Sequence, residues 1–341
     1  MRAEIRRLAL SSKSFVVAYG IYSNWRARRR FRSGDIRSTH GATHRRKSLD
    51  QSLCYINRVF EDYLRYSGVD AARLRGLRIL EIGPGDSLGV ALKFVTAGAS
   101  QVVCLDKFQS EADPSQQREI YLAMRQSLSG VELSRFDAAV SLESGIELNP
   151  EKLTCVCGVG IEDAAESFET GTFGLIISTA VLQEVFDIDS AFYSMDRLLS
   201  PGGRMAHKID LSDEGMFGLN GMHPLTFLTV PRPVYEAMTR EAGKSNRKLA
   251  GYYRAKMDEF GYDAKLFVTA ILGRGELRPH KQTLELNVDY DDSTLSLVEE
   301  YRPRLCPEFK EVPCEDLIVS GIFMAARKPG GEIETETKAK G

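Results

Sequence analysis

The segment from Leu77 to Phe108, LRILEIGPGDSLGVALKFVTAGASQVVCLDKF, constrains the fold of this chain more than any other. Leu77 to Ile82 is a short apolar run, Gly83-Pro84-Gly85-Asp86 cannot continue it, and Leu88 to Ala97 carries apolar residues at helical spacing until Gly98 stops them. A second apolar run, Gln101 to Leu105, ends on Asp106. The order is strand, glycine loop, helix, strand: a β-α-β unit with a carboxylate at the tip of its second strand. Such a unit suits a nucleoside. Glycines and a helix N-terminus let backbone N–H groups approach a polar ligand, and an ionised carboxylate accepts two hydrogen bonds from a ribose diol.

The dinucleotide fingerprint Gly-x-Gly-x-x-Gly needs a third glycine where this chain has Leu88, with Gly89 one residue late. An acidic residue stands two positions before the first glycine instead. This stretch, Glu81-Ile82-Gly83-Pro84-Gly85, resembles the first motif of class I S-adenosylmethionine-dependent methyltransferases. The resemblance implies an α/β fold with a Rossmann-like, seven-stranded, mostly parallel sheet flanked by helices, an N-terminal helical arm and an acceptor-side insertion. It implies S-adenosyl-L-methionine as cofactor. Glu81 would face the methionine amino end, Gly83, Pro84 and Gly85 would let the backbone approach, and Asp106 would hold the ribose. An acidic residue just past the third strand, Glu162 or Asp163, would take the adenine amine, and Ser178 at the end of the fourth strand joins the cofactor contacts.

With 43% apolar residues in 341, the chain can bury one large core. No apolar stretch approaches the roughly 20 residues that span a bilayer, and no secretory signal opens the sequence, so a cytoplasmic protein is expected. Six cysteines in a chain this long suggest no disulfide framework, and Cys155 and Cys157 alternate within an expected strand, which puts their side chains on opposite faces, so no metal is expected. The net charge of −2 hides an asymmetry. Residues 1–50 hold thirteen Lys/Arg against three Asp/Glu, leaving the rest of the chain at −12. Residues 1–47 read as a basic arm, partly disordered and dispensable for the core, that could meet an anionic surface.

Ser48-Leu49-Asp50-Gln51 is a capping box opening a helix that ends at Gly68. Asp113-Pro114 starts another, Leu153 to Cys157 is the third strand, and Thr172 to Ser178 the fourth. A helix from about Asp189 to Leu199, a Pro201-Gly202-Gly203 turn and a strand Arg204 to Ile209 resemble the continuation of the same superfamily. The methyltransferase domain is expected over residues 48–328, its acceptor-side insertion at about 211–262, and a disordered tail from 329 to 341. Helices are expected over about Pro233–Ala242, Lys248–Phe260 and Asp292–Tyr301, and late strands at Ala264–Leu272 and Leu317–Ala326.

Methyl transfer from a sulfonium is an in-line displacement, so positioning supplies much of the rate. An oxygen acceptor also has a proton to lose, and His223 and Asp210 are the expected catalytic residues, with Asp213 as a further candidate. The acceptor is read as a hydroxyl on a small molecule or glycan. An RNA methyltransferase using the basic arm and a nicotinamide oxidoreductase are the alternatives. A nucleic-acid acceptor is not favoured, because Ser178-Thr179-Ala180-Val181 lacks the Asn/Asp-Pro-Pro-aromatic motif of amino methyltransferases. Oligomeric state leaves no signature in the sequence.

Overall fold

The computed structural model describes residues 12–38 and 41–330. Thr39 and His40 of the polar stretch before the first motif, residues 1–11 of the arm and the tail from residue 331 lie outside the described residues.

The large sheet has eight strands, numbered here in chain order: β1 Arg78–Ile82, β2 Gln101–Asp106, β3 Leu153–Cys157, β4 Phe173–Thr179, β5 Leu199–Asp210, β6 Asp263–Ile271, β7 Gly275–Lys281 and β8 Val319–Arg327. Their order across the sheet is β7-β6-β8-β5-β4-β1-β2-β3. The run from β3 to β5 is parallel throughout, whereas β8, β6 and β7 join it by antiparallel pairings. This is the Rossmann-like, mostly parallel arrangement expected, with one strand more. The extra strand, β7, reads Gly-Glu-Leu-Arg-Pro-His-Lys. It lies at the edge, where Pro279 is tolerated because one side of the strand needs no ladder donor.

Eight helices of eight or more residues precede or flank the strands: α1 Lys13–Arg32, α2 Leu49–Ser67, α3 Gly89–Ala97, α4 Pro114–Gln126, α5 Gly130–Ala139, α6 Ile188–Leu198, α7 Arg232–Thr239 and α8 Ala250–Glu259; a ninth, α9 Asp292–Glu299, comes late. Alternation along the strands divides the core into two layers. Ile79 of β1 and Val102 of β2 pack with Ile56 and Tyr63 of α2, Phe94 of α3 and Phe136 of α5. Leu80, Val103 and Ile176 face the other way, onto Phe192 and Met195 of α6, Met238 of α7 and Tyr253 of α8. The capping box forms: the Ser48 side chain accepts from the Gln51 N–H, and Gly68 closes α2 in the left-handed conformation. Most of the expected insertion is core rather than cover, since Phe217, Leu225, Phe227 and Leu228 are all buried.

The described part of the arm is helical, as the fold expectation has it: Lys13–Arg32 is one continuous helix, fastened by buried Val16 and by polar contacts. Asn24 donates through Nδ2 to the Ala237 carbonyl at 3.0 Å and accepts the Glu241 N–H at 2.6 Å, while Gly20 lies flat against Met238. Asn24→Ala removes both bonds and leaves two backbone groups unpaired, an expected loss of about 2 kcal/mol. Urea unfolding and trypsin cleavage within Arg26–Arg32 report it together: the variant is expected to unfold earlier and cut faster, and unchanged behaviour in both would show the arm to be loosely held.

Candidate functional site

The parallel strands β3, β2, β1, β4 and β5 end along one edge, and a cavity of about 330 Å³ lies there. In sheet order its walls are Gly160–Glu162 after β3, Asp106 after β2, Glu81 to Gly85 at β1, Thr179 to Phe186 after β4, and Asp210 and Glu214 after β5. Tyr55, Val59 and Tyr63 of α2 close one side.

The glycine loop makes the close approach possible. Gly83 and Gly85 hold φ at +65° and +72°, the left-handed region that other residues enter at a cost. A Cβ on Gly83 would sit 2.4 Å from Val181 Cγ2, and one on Gly85 would sit 2.6 Å from the Gly41 carbonyl oxygen. Both glycines thus admit neighbouring parts of this chain. The Asp86 carboxylate accepts the N–H groups of His44 and Arg45 at 3.0 and 3.2 Å, and the Asp86 N–H donates to the Gly41 carbonyl at 3.2 Å. Residues 41–45 are thereby strapped across the loop, and Gly41, Thr43 and His44 join the cavity wall.

The walls are acidic, and burial perturbs them. Desolvation pushes the Glu81 carboxyl up to about 7, although the Cys104 thiol donates to its Oε2 at 3.6 Å. Asp106 is pushed up to about 6 for the same reason, opposed by the Phe108 N–H at 2.9 Å. Glu184 rises to about 9 through desolvation and the neighbouring Glu214, whose own carboxyl is also raised by burial. Gln183 Nε2 donates to Glu214 at 3.1 Å. Two buried atoms on this wall have no partner among the described residues, Gln183 Oε1 and His44 Nδ1. Burial also holds the His44 imidazole below its ordinary value. Seven lining carboxyls face only two lining cations, Lys107 and Arg240, and Lys107 is already paired to Glu162 at 2.6 Å. Such a cavity favours a cation and hydrogen-bond donors over an anion.

A second chamber of about 350 Å³ shares Tyr55, Val59, Thr179, Ala180 and Asp210 with the first. Lys208, Glu276, Thr269 and Ser320 line its far side. Between the chambers Ala180 sits at φ +56°, a strained conformation for a residue with a side chain. The Tyr63 hydroxyl braces the same wall against Thr179 Oγ1 at 2.7 Å.

The cavity brings together Glu81, Gly83, Pro84, Gly85, Asp106, Glu162 and Asp210 from among the expected residues. Asp163 is exposed and outside it. Ser178 is also outside: it is fully buried and hydrogen-bonds through Oγ to Nδ1 of His207, its register partner on β5, at 2.7 Å. His223 lies in neither chamber. Its ring stacks on Tyr301 with centroids 3.8 Å apart, Nε2 donates to the Leu297 carbonyl, and Nδ1 accepts the Leu225 N–H. Both nitrogens are committed to packing the loop, so the expected catalytic placement of His223 is corrected here. Asp213 likewise organises a loop, accepting the N–H groups of Gly215, Phe217 and Gly218. The sequence reading missed Glu184, Glu214, Gln183 and His44 as cavity residues; the only signal was the run Leu182-Gln183-Glu184-Val185 directly after β4.

Neither a family model nor a curated protein matches the sequence. Solved structures do. The carbon methyltransferase CurJ matches at 11% identity over 75% of this chain and 49% of that one, with a TM-score of 0.36. The cyclase SpnF matches at 15% identity over 81% of each chain, TM-score 0.42. Phosphoethanolamine N-methyltransferase 2 of Haemonchus contortus, in complex with S-adenosyl-L-methionine, matches at 16% identity over 80% of this chain and 52% of that one, TM-score 0.39. The chain spans about half the length of the first and third. An activity for this chain has to be argued from its own site.

The raised Glu81 carboxyl has a consequence for the ligand-free protein. Its folded form binds the proton more tightly than the unfolded chain does, so this group's contribution is fully present below the ordinary glutamate range and is lost as pH rises through about 7. Glu81→Gln removes that dependence. At pH 8 the variant is expected to be more stable than the parent by about 3 kcal/mol, with the difference vanishing near pH 4, and chemical unfolding across pH checks it. A constant difference would contradict the desolvated state of Glu81.

Proposed function

We propose that this chain is a methyltransferase that uses S-adenosyl-L-methionine and methylates a hydroxyl of a small-molecule or sugar-like acceptor. The observation that supports the reading is the pair of desolvated carboxyls, buried Glu81 and half-buried Asp106, set beside a left-handed glycine loop at the ends of adjacent parallel strands. The cofactor offers an ammonium, a ribose diol and an adenine amine, all donors, and carries net positive charge. That is what desolvated carboxyls lack. A nicotinamide dinucleotide would bring two phosphates to the same acidic wall, so the oxidoreductase reading is disfavoured on charge as well as on the displaced glycine.

When bound, S-adenosyl-L-methionine supplies a methyl group on a positively charged sulfur. Glu81 would hold the ammonium, and Asp106, its carboxylate fixed by the Phe108 N–H at 2.9 Å, would accept hydrogen bonds from the ribose diol. Glu162, held by Lys107 at 2.6 Å, would accept from the adenine amine. The acceptor occupies the second chamber. Asp210 stands on the wall common to both chambers, its carboxylate oriented by the Ser212 N–H at 2.8 Å, and would take the proton of an acceptor hydroxyl there.

Calorimetry with the purified protein tests the cofactor half. Asp106→Ala is expected to lose both ribose acceptors and to bind S-adenosyl-L-methionine about tenfold or more weakly, roughly 1.5–3 kcal/mol. Unchanged affinity in the variant, or tight binding of NAD by the parent, would overturn the assignment. Transfer of labelled methyl into fractionated cell extract tests the acceptor half: Asp210→Asn is expected to slow transfer about 10²-fold with cofactor affinity intact, and full transfer would remove Asp210 as the base.

A further inference from the structure

The outward face of α1 is unusual for a helix of a folded domain. Phe15, Tyr19, Tyr22 and Trp25 recur every three to four residues and are 44%, 56%, 53% and 53% exposed. Ile21 beside them is 40% exposed. The opposite face is the anchored one, carrying buried Val16 and Asn24. The exposed rings are therefore not what holds the helix to the protein. They are ordered among themselves: Tyr22 and Trp25 stack at 6.2 Å, the Arg26 guanidinium lies 5.9 Å from the Tyr22 ring, and that of Arg29 lies 5.6 Å from the Trp25 ring.

Charge along the helix is divided as sharply as polarity. Twelve uncharged residues separate Lys13 from Arg26, and the last seven positions then hold Arg26, Arg28, Arg29, Arg30 and Arg32, with no acidic residue anywhere in the helix. The remainder of the chain beyond residue 50 is strongly acidic. A shallow groove of about 180 Å³ beside Tyr22, Arg26 and Arg30 reaches Phe108, Glu241 and Gly243, which also line the main cavity. The Phe31 ring stacks on Phe108 at 5.0 Å. The exposed face thus adjoins the mouth of the cavity.

We propose that α1 docks this protein onto an anionic phospholipid bilayer, with the aromatic stripe seated at the headgroup level and the arginine cluster on the lipid phosphates. Aromatic rings with a polar tip are stable at that boundary, and guanidinium groups reach phosphate while their stems cover apolar surface. The division of the helix is what favours a bilayer over a nucleic acid. A phosphate backbone is tracked by cations distributed along the contact, whereas here one half of the face has none and carries Phe15 and Ile21. The acidic remainder of the chain is repelled by the same surface, which leaves α1 as the face turned towards it. No helix among the described residues is long and apolar enough to cross the membrane, so the contact is peripheral. The proposal does not depend on the cofactor assignment.

Trp25 is the only tryptophan in the chain, so its fluorescence reports this face alone. The full-length protein is titrated with vesicles of mixed phosphatidylglycerol and phosphatidylcholine, with phosphatidylcholine vesicles, and with single-stranded RNA. The expected result is a blue shift and protection from acrylamide on the anionic vesicles only, weakening as salt is raised. The combined variant Arg26→Gln, Arg29→Gln, Arg30→Gln is expected to bind about 10²-fold more weakly. A second variant, Tyr19→Ser with Tyr22→Ser, should keep some salt-sensitive attraction but lose the acrylamide protection, so that an unfolded first variant leaves the claim open to refutation. Equal binding to neutral vesicles, no shift on anionic ones, or RNA that displaces the vesicles from Trp25 would overturn the proposal, the last in favour of a nucleic-acid surface.

Discussion

A carboxyl buried at the end of a parallel strand is tolerated only if it stays protonated or meets a charge, and Glu81 sets that condition for the whole cavity. Its position follows from alternation: Leu80 and Ile82 go to one layer of the core, so Glu81 faces the layer under α2, between Tyr63 and Cys104. The Cys104 thiol donates to it, and Glu81 is buried from solvent. The glycine loop that follows is bent left-handed to admit Val181 on one side and the Gly41 strap on the other. Val181 and Gly41 line the same cavity in which burial raises Asp106 along with Glu81, and burial together with Glu214 raises Glu184. One constraint, a row of acids in low dielectric, thus runs through the cavity and is what the proposed cationic ligand would answer.

The parts of the fold that were legible in the sequence are those whose stabilisation is local. The β1-α3-β2 unit has an apolar run, a glycine loop and a second run in the order the structure uses, and α2 is announced by its capping box and closed by Gly68. The strand β3 is read without error because Leu153 to Cys157 sits between turn signals. Features fixed by tertiary contact were not legible. The helix α1 is seated by Asn24 and Gly20 while its rings, Phe15, Tyr19, Tyr22 and Trp25, face outward, so its period did not show which face is anchored. The edge strand β7 has no alternation to offer and exists because β6 presents it with an open edge.

The site was legible to the same depth. Glu81, the two glycines and Asp106 lie within one supersecondary unit, so their spacing in sequence fixes their spacing in space. Glu184 and Glu214 are thirty residues apart and meet only because β4 and β5 are neighbours that both end at the cavity. His223 shows the converse. It follows β5 closely enough in sequence to suggest the cavity, but the loop turns away and commits the ring to Tyr301 and the end of α9. Proximity in sequence to a strand end places a residue near the site only when nothing else buries it first. Asp210 passes that test because it is the last residue of β5 and lies on the wall between the two chambers.

The central claim is that a cationic cofactor ionises the buried acids as it enters. Calorimetric titration with S-adenosyl-L-methionine at pH 7, repeated in buffers of different ionisation enthalpy, measures the protons exchanged on binding. Glu81, raised to about 7, is poised near half-protonated at that pH and supplies most of the exchange, while Asp106, raised to about 6, is already mostly ionised; each is driven towards its charged form by an ammonium or a ribose diol. The account predicts net proton release on binding, diminishing above pH 8 and reduced in Glu81→Gln. Binding with no proton exchange, or with uptake, would contradict it.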